Sequence, residues 1–572
     1  MLRMRRFRLT HPAGLVAAAA LAVAAAGCGT STSSSSGPKA VGHAGGTYTI
    51  LANTNFGVAD PAQNYTLEEW QLLIDTHDGL VQFQRVGGIA GTKLVPDLAT
   101  SIPLPTNGGK TYTFQIRRGI KFSNGQVLKP SDFVRTFERF FTVPGPASFY
   151  NVIVGASACG NAAKTLHCDL SKGVVANDSA YTLTFNLTGP DPEFIDALSL
   201  PFAYAVPGNT TFKNLGNNVP PGTGPYMWQS YDPNKEAVLV RNPFFHVWSA
   251  AAQPPGYPNE IVEKYGLTIS DEVTAVENGQ ADEVFDADTP PPDRLAELNS
   301  AKFAHQVHVN ALTADWYWAL NTKVPPFNNL LARRAINYAA NRAAYVKIAG
   351  GPSLAIPTCQ ILPPNFPGYN PYCPYTAGTS TTKWTAPDLA KARALVKQSG
   401  TAGMKVVVNS TTDSLGRALA AQMVSDLNAI GYKATSQLLN GGIQYPFIQN
   451  SNNIHKWSVS YSAWYQDYPA ASDFLNILLG CGNIHPHSDA SPNIAEFCNP
   501  TIQAQMTRAE AMGGTNPAAA NNLWAQIDHE VTDQAPWVDM YNPKQIDILS
   551  KRVQGYQWNP QWYILIDQQW LK

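Results

Sequence analysis

Leu415, Leu419, Met423, Leu427 and Ile430 recur at helical spacing in "MKVVVNSTTDSLGRALAAQMVSDLNAIGYKATSQLL". The branched run at 406–408 precedes them as a short strand. Gly431 supplies the residue that ends the helix, and 432–438 alternates as a second strand. Strand, helix and strand in that order predict a βαβ unit, with parallel strands and a right-handed crossover.

Two further stretches carry the same logic. In "EKYGLTISDEVTAVENGQADEVF" the pattern predicts a strand around Leu267, a helix capped by Ser270 with Asp271 and Glu272 in its first turn, and a stop at Gly279 before another short strand. In "ADWYWALNTKVPPFNNLLARRAINYAANRAAYV" an aromatic strand precedes one helix from about Asn329, which buries Leu331, Ala335, Tyr338, Ala339 and Val346. By contrast, "LVPDLATSIPLPTNGGKTYTFQIRRGIKFSNG" is rich in turns and alternation, the pattern of hairpins. At least two α/β lobes flanking a β-rich insertion are therefore expected.

In "HKWSVSYSAWYQDYP" the alternation of Trp457, Val459 and Tyr461 marks a strand, and Trp464, Tyr465 and Asp467 are expected beyond its carboxyl end. Ligands of open α/β sheets bind there. The plainer alternatives are that Asp467 caps the helix starting in "PAASDFL" or pairs with an arginine, and that Trp464 packs in a core. Trp316 and Trp318 stand two apart on one strand and so share a face.

The amino terminus changes the picture of where this chain works. Arg3, Arg5, Arg6 and Arg8 precede an alanine-dominated apolar run at 13–26, which ends at "AAGCGT". That is the pattern of an export signal, too short to be a spanning helix. Cys28 after small residues resembles the lipobox of bacterial lipoproteins, with Ala25 where leucine is usual; plain secretion is the alternative. The Ser/Gly-rich stretch that follows reads as a flexible tether. No later segment offers about 18 uninterrupted apolar residues.

The 572 residues suffice for about three or four domains. Charged residues make up only 14% and the formal net charge is −1, which removes the basic excess that nucleic-acid binding needs. Thirteen tryptophans point instead to surfaces that enclose small organic ligands. Beyond Cys28, six cysteines fall in sequence-local pairs: Cys159 with Cys168, Cys359 with Cys373, and Cys481 with Cys498. Neighbour pairing is the simplest of the connectivities open to six cysteines in an oxidising compartment. The loop "CQILPPNFPGYNPYC" between the second pair reads as a stiff lid edge or surface flap. His485 and His487, with His455 upstream, lack a defined third ligand, so no metal site is expected. A secreted hydrolase is the rival class, yet the chain holds no G-x-S-x-G elbow and no Walker A, and "HEVTD" lacks the second histidine of a zincin.

Seven stretches in order, "GGTYTILA", "LVPDLATSI", "GKTYTFQIRRGIKFSNGQVLKPSDFVRTFERF", "PPGTGPYMWQSY" with "VRNPFF", "ALNTKVPPFNNLLARRAINYAANRAAYV", "WYQDYPAASDFL" and "IDHEVTDQAPWVDMYNP", resemble the family 5 solute-binding proteins of ABC importers, the group of oligopeptide and dipeptide receptors. The resemblance runs from about Gly45 onward. It implies a periplasmic-binding-protein-like α/β fold, with two lobes joined by a hinge and a β-rich domain inserted in the first. The divisions it suggests are a signal peptide at 1–27, a lipid-anchored tether at 28–44, lobe I at 45–85, 206–308 and 538–572, the insertion at 86–205, and lobe II at 309–537. It implies an exported, membrane-anchored, monomeric receptor without cofactor, which hands a small peptide to permease subunits. Asp467 would hold the ligand's α-amino group, and Trp464, Tyr465, Trp316, Trp318 and Asn321 would line its site. The resemblance also leaves room for an oligosaccharide, a nickel chelate or haem as ligand, and for a sensor that delivers no cargo.

Overall fold

A strand Lys405–Thr411, a helix Ser414–Ala429 and a strand Lys433–Leu439 form the expected βαβ unit, the two strands pairing parallel with Val408 opposite Ser436. The computed structural model describes residues 42–572 apart from 56, 66, 144–146, 160–168, 286–289, 291, 299, 490 and 514. Asp413 caps the helix, accepting from Gly416 N at 2.9 Å. Leu419, Met423 and Leu427 are fully buried, and Gly431 takes φ of 100°, a conformation that favours glycine.

This unit forms one end of a long mixed sheet. Its strand order is Lys433–Leu439, Lys405–Thr411, Val459–Tyr465, Ala314–Leu320, Trp537–Leu549, Glu283–Val284, Thr47–Ala52, Glu260–Tyr265, Glu236–Arg241 and Tyr226–Asp232. The strand Trp537–Leu549 belongs to both halves. Its beginning pairs with Ala314–Leu320, Trp318 facing Val538, and its end pairs with Val307–Ala311, Val307 facing Ile548. The border drawn from the sequence after residue 537 falls one residue into this strand.

In the half that carries the βαβ unit, helices cover both faces of the sheet. Trp318, Leu320, Val538 and Met540 pack under helices Leu330–Ala339, Arg342–Ile348 and Ser414–Ala429. Tyr317, Ala319 and Trp537 pack under Ala471–Leu479, Pro500–Gly513 and Pro517–Gln534. The turn-rich stretch contributes the strand Thr111–Gln115, paired antiparallel with Thr182–Asn186 beside Val174–Asn177. The helix Pro130–Thr142 lays Phe133, Phe137 and Phe140 into that core, with Phe137 edge-on to Phe185 at 5.1 Å.

Four local expectations need correction. The strand expected around Leu267 is Glu260–Tyr265; Gly266 at φ 90° ends it and leaves Leu267 exposed. The following helix is capped by Thr268, whose hydroxyl accepts from Asp271 N, and not by Ser270. The single helix from Asn329 is two, Leu330–Ala339 and Arg342–Ile348, because the Asn341 side chain accepts from Ala344 N and starts a new one. The loop bridged by Cys359 and Cys373 is no flap: Ile361, Leu362 and Phe366 are buried, and Phe366 meets Phe474 edge-on at 5.1 Å. Cys481 and Cys498 are also bridged. Cys159 is buried and disulfide-bonded, while Cys168 and Cys28 lie outside the described residues. Among the described residues, no helix is long and apolar enough to cross a membrane.

Candidate functional site

The strand Val459–Tyr465 runs antiparallel to Ala314–Leu320, with Trp316 opposite Ala463 and Ala314 opposite Tyr465. Alternation sorts its side chains onto two faces. On one face Trp316 stands edge-on to Tyr465, with centroids 5.1 Å apart, and stacks on Tyr541 at 6.0 Å. Tyr461 lies edge-on to Trp318 at 5.9 Å on the same face. Trp464 points the other way, against the core beneath Ala471–Leu479, and donates its indole N–H to Asp473 Oδ2 at 3.2 Å. Trp464 and Tyr465 are thus the last two residues of the strand, and only Asp467 lies beyond it.

One edge of this strand is open. Lys405–Thr411 pairs with it only at Val459 and Ser460. Beyond that, side chains of the helix Gly441–Gln449 take over: Gln444 donates to Tyr461 O at 2.7 Å, and the Tyr445 hydroxyl accepts from Ala463 N at 3.3 Å and lies 3.5 Å from Ala463 O. The last two contacts are long for hydrogen bonds of their kind, so they are weak ones.

Asp467 is fixed on three sides by residues distant in sequence or in the next helix. Its backbone N–H donates to Asp473 Oδ2 at 3.0 Å, its carbonyl accepts from Gln561 Nε2 at 2.9 Å, and its Oδ1 accepts from the Tyr65 hydroxyl at 2.7 Å. Gln466 before it is buried and donates to Pro560 O and Gln561 Oε1, which pins the turn. Among the described residues no Lys or Arg forms a salt bridge with Asp467. Its carboxylate does not cap the next helix either, since it is Asp473, in the first turn of that helix, that receives Asp467 N–H. Burial pushes the Asp467 carboxyl up to about 6, only partly offset by the Tyr65 hydroxyl. Asp473 is held well above the usual carboxylate range by burial and by the charge of Asp467. Next in the chain, Tyr468 donates to Glu193 Oε2 at 2.7 Å, and burial together with the Glu510 charge raises Glu193 as well.

Of the residues singled out from the sequence, Trp316 and Tyr465 meet on one face at the strand end, while Trp464 on the other face and Asp467 in the turn beyond both hydrogen-bond to Asp473 Oδ2. Trp318 and Asn321 are not brought to that surface. Trp318 is fully buried in the core, and Asn321 uses its amide to donate to Ile454 O and Trp457 O. Sequence reasoning missed Tyr65, Gln561, Tyr445 and Tyr541. Tyr65 is 402 positions from Asp467, and no local pattern could have joined them. Asp473 was visible in the quoted stretch, but its role depends on the fold of the turn.

Two α/β halves sharing one long strand give a fold of the periplasmic-binding-protein type. A model of "Bacterial extracellular solute-binding proteins, family 5 Middle" matches residues 93–486, and the chain belongs to that family. It is 27% identical over 488 residues to di/tripeptide-binding protein 4 of Pseudomonas aeruginosa (strain UCBPP-PA14), covering 82% of this chain and 85% of that one. It is 24% identical over 549 residues to the periplasmic oligopeptide-binding protein OppA of Escherichia coli (strain K12), covering 90% and 94%. The solved structure of clavulanic acid biosynthesis oligopeptide binding protein 2 superposes with a TM-score of 0.82 at 22% identity, over 92% of this chain and 96% of that one.

Proposed function

We propose that this chain is the extracytoplasmic receptor of an ABC importer, that it captures oligopeptides or dipeptides and passes them to membrane permease subunits, and that it does so without catalysis. The observation that carries the reading is Asp467: a carboxylate oriented by Tyr65, Gln561 and Asp473, with no salt bridge to Lys or Arg among the described residues, beside an open strand edge. A ligand ammonium supplies the missing positive charge. An extended peptide supplies main-chain groups that replace the weak contacts of Tyr445 with Ala463, binding largely without regard to sequence. The peptide ligands of the relatives named above agree with this. Trp464, Tyr465 and Trp316 flank the ligand, Cys28 carries the lipid that keeps the receptor at the outer face of the membrane, and the receptor works as a monomer.

Calorimetry with Ala-Ala-Ala and its N-acetylated form tests the anchor. Removing one partner of a buried ion pair costs about 3–5 kcal/mol, so acetylation, and equally Asp467→Asn, weakens binding by two orders of magnitude or more. Equal affinity of the free and acetylated peptides would remove Asp467 from the anchoring role.

A further inference from the structure

We propose that a basic rim at the end of the sheet remote from Asp467, formed by Lys405, Lys433, Lys456, Arg393 and Lys397, is a docking surface for anionic phospholipid headgroups. Such a surface lies outside the ligand site and acts whatever solute the receptor carries.

Strand register builds the rim. Lys405 and Lys433 open the parallel strands Lys405–Thr411 and Lys433–Leu439 and are Cα partners. On the other side of Lys405–Thr411, Val408 pairs with Val459 and Ser458 N donates to Val407 O at 2.9 Å; the same register two residues further back sets Lys456 beside Lys405. The helix Leu389–Ser399 ends at this edge and carries Lys397 in its last turn. One turn earlier Arg393 donates Nε to Ala429 O at 2.9 Å, at the end of the helix Ser414–Ala429 and four residues before Lys433. All five side chains are exposed.

The fold itself does not neutralise these charges. Among the described residues none of the five forms a salt bridge, and Lys456 reaches only Asn453 Oδ1, at 2.7 Å. The nearby acids are engaged elsewhere: Asp388 and Asp413 accept from Lys391 N and Gly416 N at helix starts, Asp426 is buried with Tyr345 and Gln422, and Asp489 accepts from Asn450. Like charges opposite each other on paired strands, or one turn apart on a helix as Arg393 and Lys397 are, destabilise a fold. Arg393 and Lys397 offset part of that at helix carboxyl ends. Lys405 and Lys433 have no such role, and an anionic surface outside the molecule gives them one. With a formal net charge of −1 on the whole chain, the attraction is local and therefore orients the body.

The chemistry favours lipid over protein as the occupant. Lysine, which dominates the rim, is depleted in protein interfaces, where aromatic rings and arginine provide the anchors. Mobile ammonium groups suit a layer of mobile phosphates, each contributing about fivefold to the partition. The strand Val459–Tyr465 leads from the rim towards Asp467, a span of roughly 20 Å, so a body resting on the rim turns that end of the sheet away from the bilayer.

The test is cosedimentation of the whole exported chain, carrying Cys28→Ala so that no acyl chain contributes, with vesicles of phosphatidylcholine alone or mixed with phosphatidylglycerol. Binding to the mixed vesicles only is expected, weakening as salt is added. Lys405→Glu combined with Lys433→Glu, both at exposed positions, should lower it by at least about 25-fold, while Lys235→Glu on the other half of the sheet leaves it unchanged. Circular dichroism confirms that each variant is folded. Equal binding to both kinds of vesicle, binding to neither, or mixed-vesicle binding that the double variant retains would overturn the proposal. Retention only by vesicles that also hold permease subunits would make the occupant a protein and overturn it too.

Discussion

Asp467 holds its proton more tightly in the folded chain than a carboxylate does in water, because burial pushes it up to about 6. Below the ordinary carboxylate value both folded and unfolded chains are protonated, and the folded state gains all that this group can give. As the pH rises through about 6 the folded chain must ionise a half-buried group, and that contribution is lost. A ligand ammonium reverses the balance, since it binds the ionised form. Affinity for a free-amine peptide should therefore plateau above about pH 7 and fall by up to tenfold per pH unit below 6, a slope absent in Asp467→Asn. Titration calorimetry over that range measures it. At this scale the sequence was half legible. The "WYQDYP" stretch marked the carboxylate and its aromatic neighbours, but alternation set Trp464 and Tyr465 on opposite faces. Tyr65 and Gln561 reach Asp467 only through the finished fold. Trp318 looked like its neighbour Trp316 from the sequence. Depth in the sheet separates them, a property no spacing encodes.

Among the elements, the stapled loops carry a prediction. The Cys359–Cys373 bridge closes 14 residues over a core containing Phe366 and Phe474. Closing a loop of that length restricts the unfolded chain by about 3 kcal/mol, so replacing both cysteines with serine should lower stability by that order in urea unfolding. A loss near zero would show that the buried loop holds itself by packing alone. Helical period made the βαβ unit readable to within two residues at most boundaries, since apolar spacing and the glycine stop agree. The same period ran on past Ala340, where Asn341 starts a second helix by accepting from Ala344 N. Period reports a face, and a cap inside a continuous face leaves no mark on it. The Pro-rich loop misled for a related reason: proline and glycine announce turns, yet the apolar Ile361, Leu362 and Phe366 between them decide which side of the turn is buried.

For the molecule as a whole, two contacts tie distant parts of the chain at the site, Tyr65 to Asp467 and Glu193 to Tyr468. Tyr65 packs with Trp70 and Phe202, and Asp467 follows a strand of the other half of the sheet. If ligand closes these parts on each other about the shared strand, saturating peptide should reduce the radius of gyration in solution scattering. A profile unchanged by a peptide that calorimetry shows to be bound would exclude hinge closure of that kind.

The strand Trp537–Leu549 has another consequence. It lies near the carboxyl end and completes both halves of the sheet, pairing with Ala314–Leu320 and Ala355–Pro357 at its beginning and with Val307–Ala311 and Glu283–Val284 at its end. Ribosomes release a chain amino end first, so each half waits for the same late segment, and pairings this distant in sequence form slowly. Until that segment arrives neither half of the sheet is complete, and folding of both is coupled to the last stretch of the chain to be made.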